Sequence, residues 1–139
     1  MSSCLPGNDV EDKYERFRAF AGSLLGNPRL DYSREVSRLG AVLAADGFDP
    51  VTKKQLISAK TSHTVRALIA GCGLYEQTGA YNIAAGIPAK SGSSGVIVAA
   101  ARKKAGIAVF SPGLDPVGNS VRGLKALSCL SEKLDLRTM

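Results

Sequence analysis

The stretch YNIAAGIPAKSGSSG, Tyr81–Gly95, decides how this chain is read. Gly73-Leu74-Tyr75-Glu76 stands just before it, and two hydrophobic segments and a closing helical pattern follow it. Within it, Lys90-Ser91-Gly92 sets a cation, a hydroxyl and a residue without a side chain in a row at the entrance to a β-rich segment. Such a row suits an anion-binding strand edge. The ammonium attracts a carboxylate, the hydroxyl donates to it, and the glycine lets a ligand approach the backbone. A lone tripeptide has a blander reading as well, the turn before a strand.

Downstream, GVIVAAA (Gly95–Ala101) and GIAVFS (Gly106–Ser111) read as strands. Arg102-Lys103-Lys104-Ala105 joins them, and a short polar connector followed by glycine predicts an antiparallel hairpin. Asn119-Ser120 can cap a last helix on which Val121, Leu124, Leu127 and Leu130 share a face. Upstream, Tyr14, Phe17, Ala21 and Leu24 predict a helix over about Val10–Leu25, closed by Gly26 and barred from continuing by Asn27-Pro28. A second helix is expected over Ser33–Ala45 on Val36, Leu39, Val42 and Leu43, and a turn-rich connection over Phe48–Lys53. A third is expected over Ser58–Gly71, with Val65, Leu68 and Ile69 buried and His63 at the surface. Gly71, Gly73, Gly79, Gly86 and Gly92 break helical order after it. Helices, then a hairpin, then a helix packed on it make an α+β pattern. Residues 1–10 read as a leader, 11–134 as one domain and 135–139 as a tail.

Composition sets bounds on function. The 139 residues, 45% apolar and 22% charged, suit one folded domain. No apolar run approaches the ~20 residues of a membrane span, and the N-terminus has neither signal-peptide nor transit-peptide order. A cytoplasmic protein without membrane attachment is the expectation. Cys4, Cys72 and Cys129 lack CxxC or Cys/His spacing, so no disulfide framework or zinc site is indicated. Cys72 and Cys129 sit in apolar surroundings and read as buried free thiols. The net charge of +6 permits an acidic partner. Yet Lys53-Lys54 and Arg102-Lys103-Lys104 lack interleaved aromatics, so they read as solvated faces and not as a nucleic-acid surface.

Four blocks in order carry a resemblance: Gly71–Gly79 (GCGLYEQTG), Gly86–Gly92 (GIPAKSG), Gly106–Pro112 (GIAVFSP), then Leu114-Asp115 with Gly118–Gly123 (GNSVRG). Together they resemble the C-terminal part of the serine-dependent glutaminases. Ala45–Thr52 (ADGFDPVT) is similar to that family's A-N-G-G-x-N-P-x-T segment, and Tyr14–Val36 resembles a family helix and the loop after it. The resemblance implies a partial β-lactamase-like fold and hydrolysis of L-glutamine to L-glutamate and ammonia, with no cofactor and no metal. It also implies a homo-oligomer, or association with a full-length glutaminase. Tyr75 matches the tyrosine that touches substrate and exchanges a proton with the nucleophilic serine; a phenol does this only where nearby cations favour the phenolate. Lys90, Ser91 and Gly92 match the strand that lines the substrate, and Ser93 stands where the family has a valine whose backbone contacts the ligand. Asn119 and Arg122 read as capping and packing residues.

The family's Ser-x-x-Lys nucleophile motif occurs nowhere in these 139 residues. After Val36 the chain also passes directly into the later helix, without the family's Ser-Glu, Arg-Asn and Gln-Cys-Ser motifs. The expectation is a glutaminase-like chain without the N-terminal half and with an internal deletion. Such a chain would be inactive alone, and would otherwise serve as a non-catalytic accessory.

Overall fold

Strand β4 (Val96–Ala101) alternates its side chains between two cores. Ile97, Ala99 and Ala101 belong to the larger cluster, with Ile107, Leu127, Leu130, Ile87 and Tyr81. Ala100 belongs to a second cluster with Leu43 and Ala44. A two-residue period with both faces buried requires a layer on each side of the sheet. The computed structural model, which describes residues 29–139, has that arrangement. The order is α1 (Arg29–Ala44), β1 (Phe48–Asp49), β2 (Lys54–Gln55), α2 (Ala59–Cys72), a 3₁₀ turn (Tyr75–Gln77), α3 (Thr78–Ala85), β3 (Ala89–Ser91), β4, β5 (Ala105–Phe110) and α4 (Val121–Lys133). β3, β4 and β5 form an antiparallel sheet in sequence order. α1 covers one face, and α4 with α3 covers the other.

The α1 face is lined by small residues, which lets helix and sheet backbones meet. A Cβ on Gly40 would stand 2.8 Å from the Ala99 carbonyl oxygen, and one on Gly106 would stand 1.8 Å from the Ala41 nitrogen. Neither site can carry a side chain unless the layers part.

The expected hairpin and final helix are present, with Ser120 Oγ accepting the Gly123 amide at 3.1 Å as the cap. α1 and α2 occupy the expected segments, and Ser58 caps α2. The expected helix at Val10–Leu25 lies outside the described residues.

Several expectations need correction. Gly71 and Gly79 do not break helical order: Gly71 lies within α2, and Gly79 lies within α3. α3 buries Thr78, Tyr81 and Ala85 at helical spacing and ends on left-handed Gly86, φ 65°. The Phe48–Lys53 connection is part of a small ribbon, β1 paired with β2. Its turn is built on buried Asp49, which accepts from Arg38, Thr52 Oγ1 (2.5 Å) and the Val51 amide (3.0 Å). Arg38 foremost, then Thr52, holds this carboxyl well below the usual carboxylate range.

α2 does not bury Leu68, which is 61% exposed, and Leu39 of α1 is exposed too. The buried face of α2 is polar instead. Ser62 Oγ donates to the Leu43 carbonyl at 2.9 Å, and Arg66 donates to that same carbonyl and to Asp46 Oδ1 at 2.7 Å. α2 is therefore fastened to the open carbonyl end of α1 by hydrogen bonds to groups that the helix leaves unpaired. His63 is exposed as expected. Cys72 is an exposed thiol and not a buried one, while Cys129 is half-buried and disulfide-bonded. The tail packs on the domain: Leu136 is buried, and the Thr138 amide donates to the Gly86 carbonyl at 2.8 Å. Among the described residues, no helix is long and apolar enough to cross a membrane.

Asp46 ties three elements together. It leaves α1 with φ 54° and accepts from Arg66 of α2 and, at 2.9 and 3.0 Å, from Arg102 at the hairpin turn. The Arg102 hydrogen bonds, and then Arg66, lower its carboxyl to about 2. A carboxyl depressed in the folded state stabilises above its unfolded pKa of about 4 and loses that contribution as pH falls towards its folded value. The urea midpoint should therefore drop between about pH 4 and 2, and Asp46→Asn should flatten part of that slope; an unchanged slope would show the ion pairs to be idle. Gly106→Ala should destabilise by about 1–3 kcal/mol or more in urea unfolding, as overpacked sites do, whereas an unaltered midpoint would mean that the layers part freely.

Candidate functional site

Tyr75 opens the 3₁₀ turn with φ 55°, a left-handed conformation that a bulky residue adopts only where its surroundings impose it. Its ring is 51% exposed. Thr78 holds the turn from inside: its Oγ1 accepts the Leu74 amide at 3.0 Å and donates to the Tyr75 carbonyl at 2.7 Å. The buried Leu74 side chain anchors the turn in the main core.

β3 brings the lysine to this tyrosine. Along the strand Ala89 and Ser91 point inward, and half-buried Lys90 lies on the other side. Lys90 Nζ stands 4.9 Å from the centroid of the Tyr75 ring, a cation over an aromatic face. It also donates to the Ser91 carbonyl at 2.5 Å. The pairing depends on a close backbone passage. Gly73, at the end of α2, lies so near β3 that a Cβ there would be 1.9 Å from the Ala89 carbonyl oxygen. The Gly73 carbonyl accepts the Ser91 amide at 3.1 Å, and Ser91 Oγ lies 3.4 Å from the same oxygen.

Ser91 is thus buried with its hydroxyl turned inward to Gly73, whereas Lys90 is the outward member of the row. Gly92 leaves room for Val96, since a Cβ would sit 3.0 Å from its Cγ1. A turn from Gly92 to Gly95, closed by a 3.0 Å hydrogen bond, carries Ser93 exposed at its tip. The structure therefore brings Tyr75 and Lys90 together, places Ser91 beneath them, and leads Gly92 and Ser93 away along the turn.

Sequence reasoning missed the residues that hold this arrangement from the other side. Asn119 does not cap α4, which Ser120 does. Its fully buried side chain reaches back across 45 residues, Nδ2 donating to the Leu74 carbonyl at 2.9 Å and to Gln77 Oε1 at 3.0 Å. Asp115 Oδ1 accepts the amides of Val117, Gly118 and Asn119 at 2.9–3.0 Å. Those donors, the Asn119 amide first, together with Gln77, keep the Asp115 carboxyl below its ordinary range. Asp115-Pro116 followed by Gly118 is a turn signal visible in the sequence, but nothing local announces the link to Leu74 and Gln77. Among the described residues, no cluster of His, Cys, Asp and Glu is arranged to hold a metal ion.

Comparison with known proteins places these elements. The family profile described as Glutaminase matches residues 31–139. A glutaminase of Geobacillus kaustophilus (strain HTA426) is 32% identical over 184 residues, spanning 98% of this chain and 60% of the relative. One from Shouchella clausii (strain KSM-K16) is 42% identical over 102 residues, 73% of this chain and 33% of its own length. The first alignment is longer than the 139-residue chain, so the relative carries residues within the matched span that this chain lacks. A crystal structure of Mglu in its glutamate form superimposes with a TM-score of 0.72 at 38% identity, over 76% of this chain and 24% of that one. The chain thus spans 60% or less of the length of these relatives.

Gly73→Ala should push β3 off α2 and separate Lys90 from the Tyr75 ring. The expected result is a loss of about 1–3 kcal/mol in urea unfolding, with the Lys90 side-chain resonances moving to solvent-like positions. An unshifted Lys90 signal in the folded variant would show that the passage at Gly73 does not set the pair.

Proposed function

Because this chain belongs to the glutaminase family, we propose that Tyr75 and Lys90, backed by buried Ser91 and continued by the Gly92 and Ser93 turn, form one wall of a site for L-glutamine or L-glutamate, and that the 139-residue chain does not hydrolyse glutamine alone. The pairing of an exposed, left-handed Tyr75 with Lys90 carries the reading. A strained conformation kept at an exposed aromatic is a feature of functional sites, and a half-buried ammonium beside a phenol suits a ligand carboxylate. Mglu, similar in fold and 38% identical over 76% of this chain, was crystallised in a glutamate form.

Acyl transfer needs a nucleophile, a base and donors for the oxyanion. Tyr75 sets a phenol hydroxyl on the wall beside Lys90, but the sequence offers no serine followed three residues later by lysine to attack the amide. Loss of a nucleophile commonly lowers rates by many orders of magnitude. Ammonia release from L-glutamine by the purified chain should therefore stay at the buffer level. Turnover that disappears in Tyr75→Phe would overturn this and make Ser91 and Ser93 the next positions to mutate.

A second reading rests on a separate observation. Ile83 of α3 is 81% exposed and Leu68 of α2 is 61% exposed, apolar side chains on helices next to the site. They suit a chain that associates with a longer glutaminase as a non-catalytic subunit. Altered turnover when the chain is mixed with a full-length glutaminase would support association; unchanged turnover together with a monomeric sedimentation profile would remove it.

A further inference from the structure

We propose that Asn119 is the positioning residue of the Tyr75 turn, acting with Gln77 and Asp115 as a clamp that keeps the phenol ring facing β3. The proposal rests on the reading of Tyr75 and Lys90 as part of a ligand wall, and goes beyond it by naming what sets their geometry.

The two acceptors that Asn119 serves bracket Tyr75. Leu74 precedes it and Gln77 follows two residues later, so one amide group spans the turn. The Gln77 side-chain oxygen accepts from Asn119, and Gln77 also helps to keep the Asp115 carboxyl below its ordinary range. Asp115 is held in turn by three backbone amides. The chain of bonds therefore starts at Asp115 in the loop before α4, passes through Asn119, and ends on the backbone carbonyl before Tyr75 and the Gln77 side chain after it. The same loop reaches the ring, since a Cβ on Gly118 would lie 4.0 Å from Tyr75 Cε2.

Energetics favour a positioning role. A left-handed tyrosine is disfavoured relative to ordinary backbone, and a turn with a half-exposed tyrosine has little packing of its own to offset that. Buried hydrogen bonds to Leu74 and Gln77 supply the constraint, and without them the Leu74 carbonyl keeps only the turn's own 3.2 Å bond from the Gln77 amide. Thr78 fixes the inner side of the turn, so Asn119 is what distinguishes a merely closed turn from one whose ring faces Lys90.

The test is NMR on the full chain. A lysine over a ring has methylene protons shifted upfield by the ring current, which reports ring position and not overall stability. Asn119→Asp keeps the shape but replaces the donor with a carboxylate oxygen facing two acceptors. Gln77→Ala removes one link and leaves Asn119 in place, so it decides the matter if the first variant fails to fold. In the folded variants, the Lys90 methylene protons should lose most of their upfield displacement while the β4 and β5 amide shifts stay as in the parent. A displacement retained in Gln77→Ala, or in folded Asn119→Asp, would overturn the clamp.

Titration of the parent chain with L-glutamate separates this inference from the reading beneath it. No response at Tyr75 and Lys90, with the ring-current loss still seen in the variants, would sink the ligand wall and leave the clamp standing. A response that weakens up to ~10-fold in Gln77→Ala, the effect expected for about one hydrogen bond, would support both.

Discussion

The contact between α1 and the sheet is made of backbone, and the rest of the structure depends on it. At Gly40 and Gly106 the layers come together where even a methyl group would not fit. That approach brings the carbonyl end of α1 over the β4–β5 hairpin, where the Lys103 backbone amide donates to the Ala44 carbonyl at 2.8 Å. It also places Asp46 within reach of both Arg66 and Arg102. Small residues at a layer interface sacrifice hydrophobic area, since alanine and glycine bury little. In exchange, polar groups at the helix end become available for directional bonds. The polar buried face of α2 follows from this: it meets the unpaired carbonyl end of a helix, and Ser62 and Arg66 satisfy that end where leucines could not.

The second tight passage, Gly73 against Ala89, has a comparable function at the other end of α2. It joins the helix to the edge strand and fixes Ser91 by its amide, so Lys90 faces the far side at a set height. Tyr75 enters two residues after the glycine, and the loop before α4 closes around it. The candidate wall is thus assembled from three segments distant in sequence. Its rigidity comes from buried hydrogen bonds and backbone contact more than from side-chain packing, in keeping with the exposure of the tyrosine itself.

What could be read in advance follows the range of each interaction. The hairpin, the Ser120 cap and the segments of α1 and α2 are local patterns, and they were legible as such. α3 also carries a local mark, because Gly86-Ile87-Pro88 is a helix-end signal, but Gly79 within the helix and the glycines before it obscure the pattern. Leu39 and Leu68 misled because periodicity finds the apolar stripe and assumes that a partner covers it. Here polar groups hold α2, and the chain spans 60% or less of the length of the two glutaminases and of Mglu. Tyr75, Lys90 and Ser91 could be singled out from sequence, but the left-handed turn and the Asn119 link could not. A contact across 45 residues leaves no mark in any local window.

The division between holding and reacting is the last consequence of this geometry. A wall that positions a ligand needs a fixed cation, a fixed edge and a rigid turn, and in the reading proposed above residues 73–119 supply these from within themselves. Bond breaking needs more, because an attacking atom must be held about 3 Å from the carbon with donors on the oxyanion. In a two-sided site such groups sit on the opposing wall, so the two halves are physically separable in a way that a contiguous triad would not be. A wall of that kind can then keep its strain and its buried hydrogen bonds whether or not the opposing one is present. The conformational cost at Tyr75 persists in that case because the hydrogen bonds imposing it belong to the fold and not to the ligand.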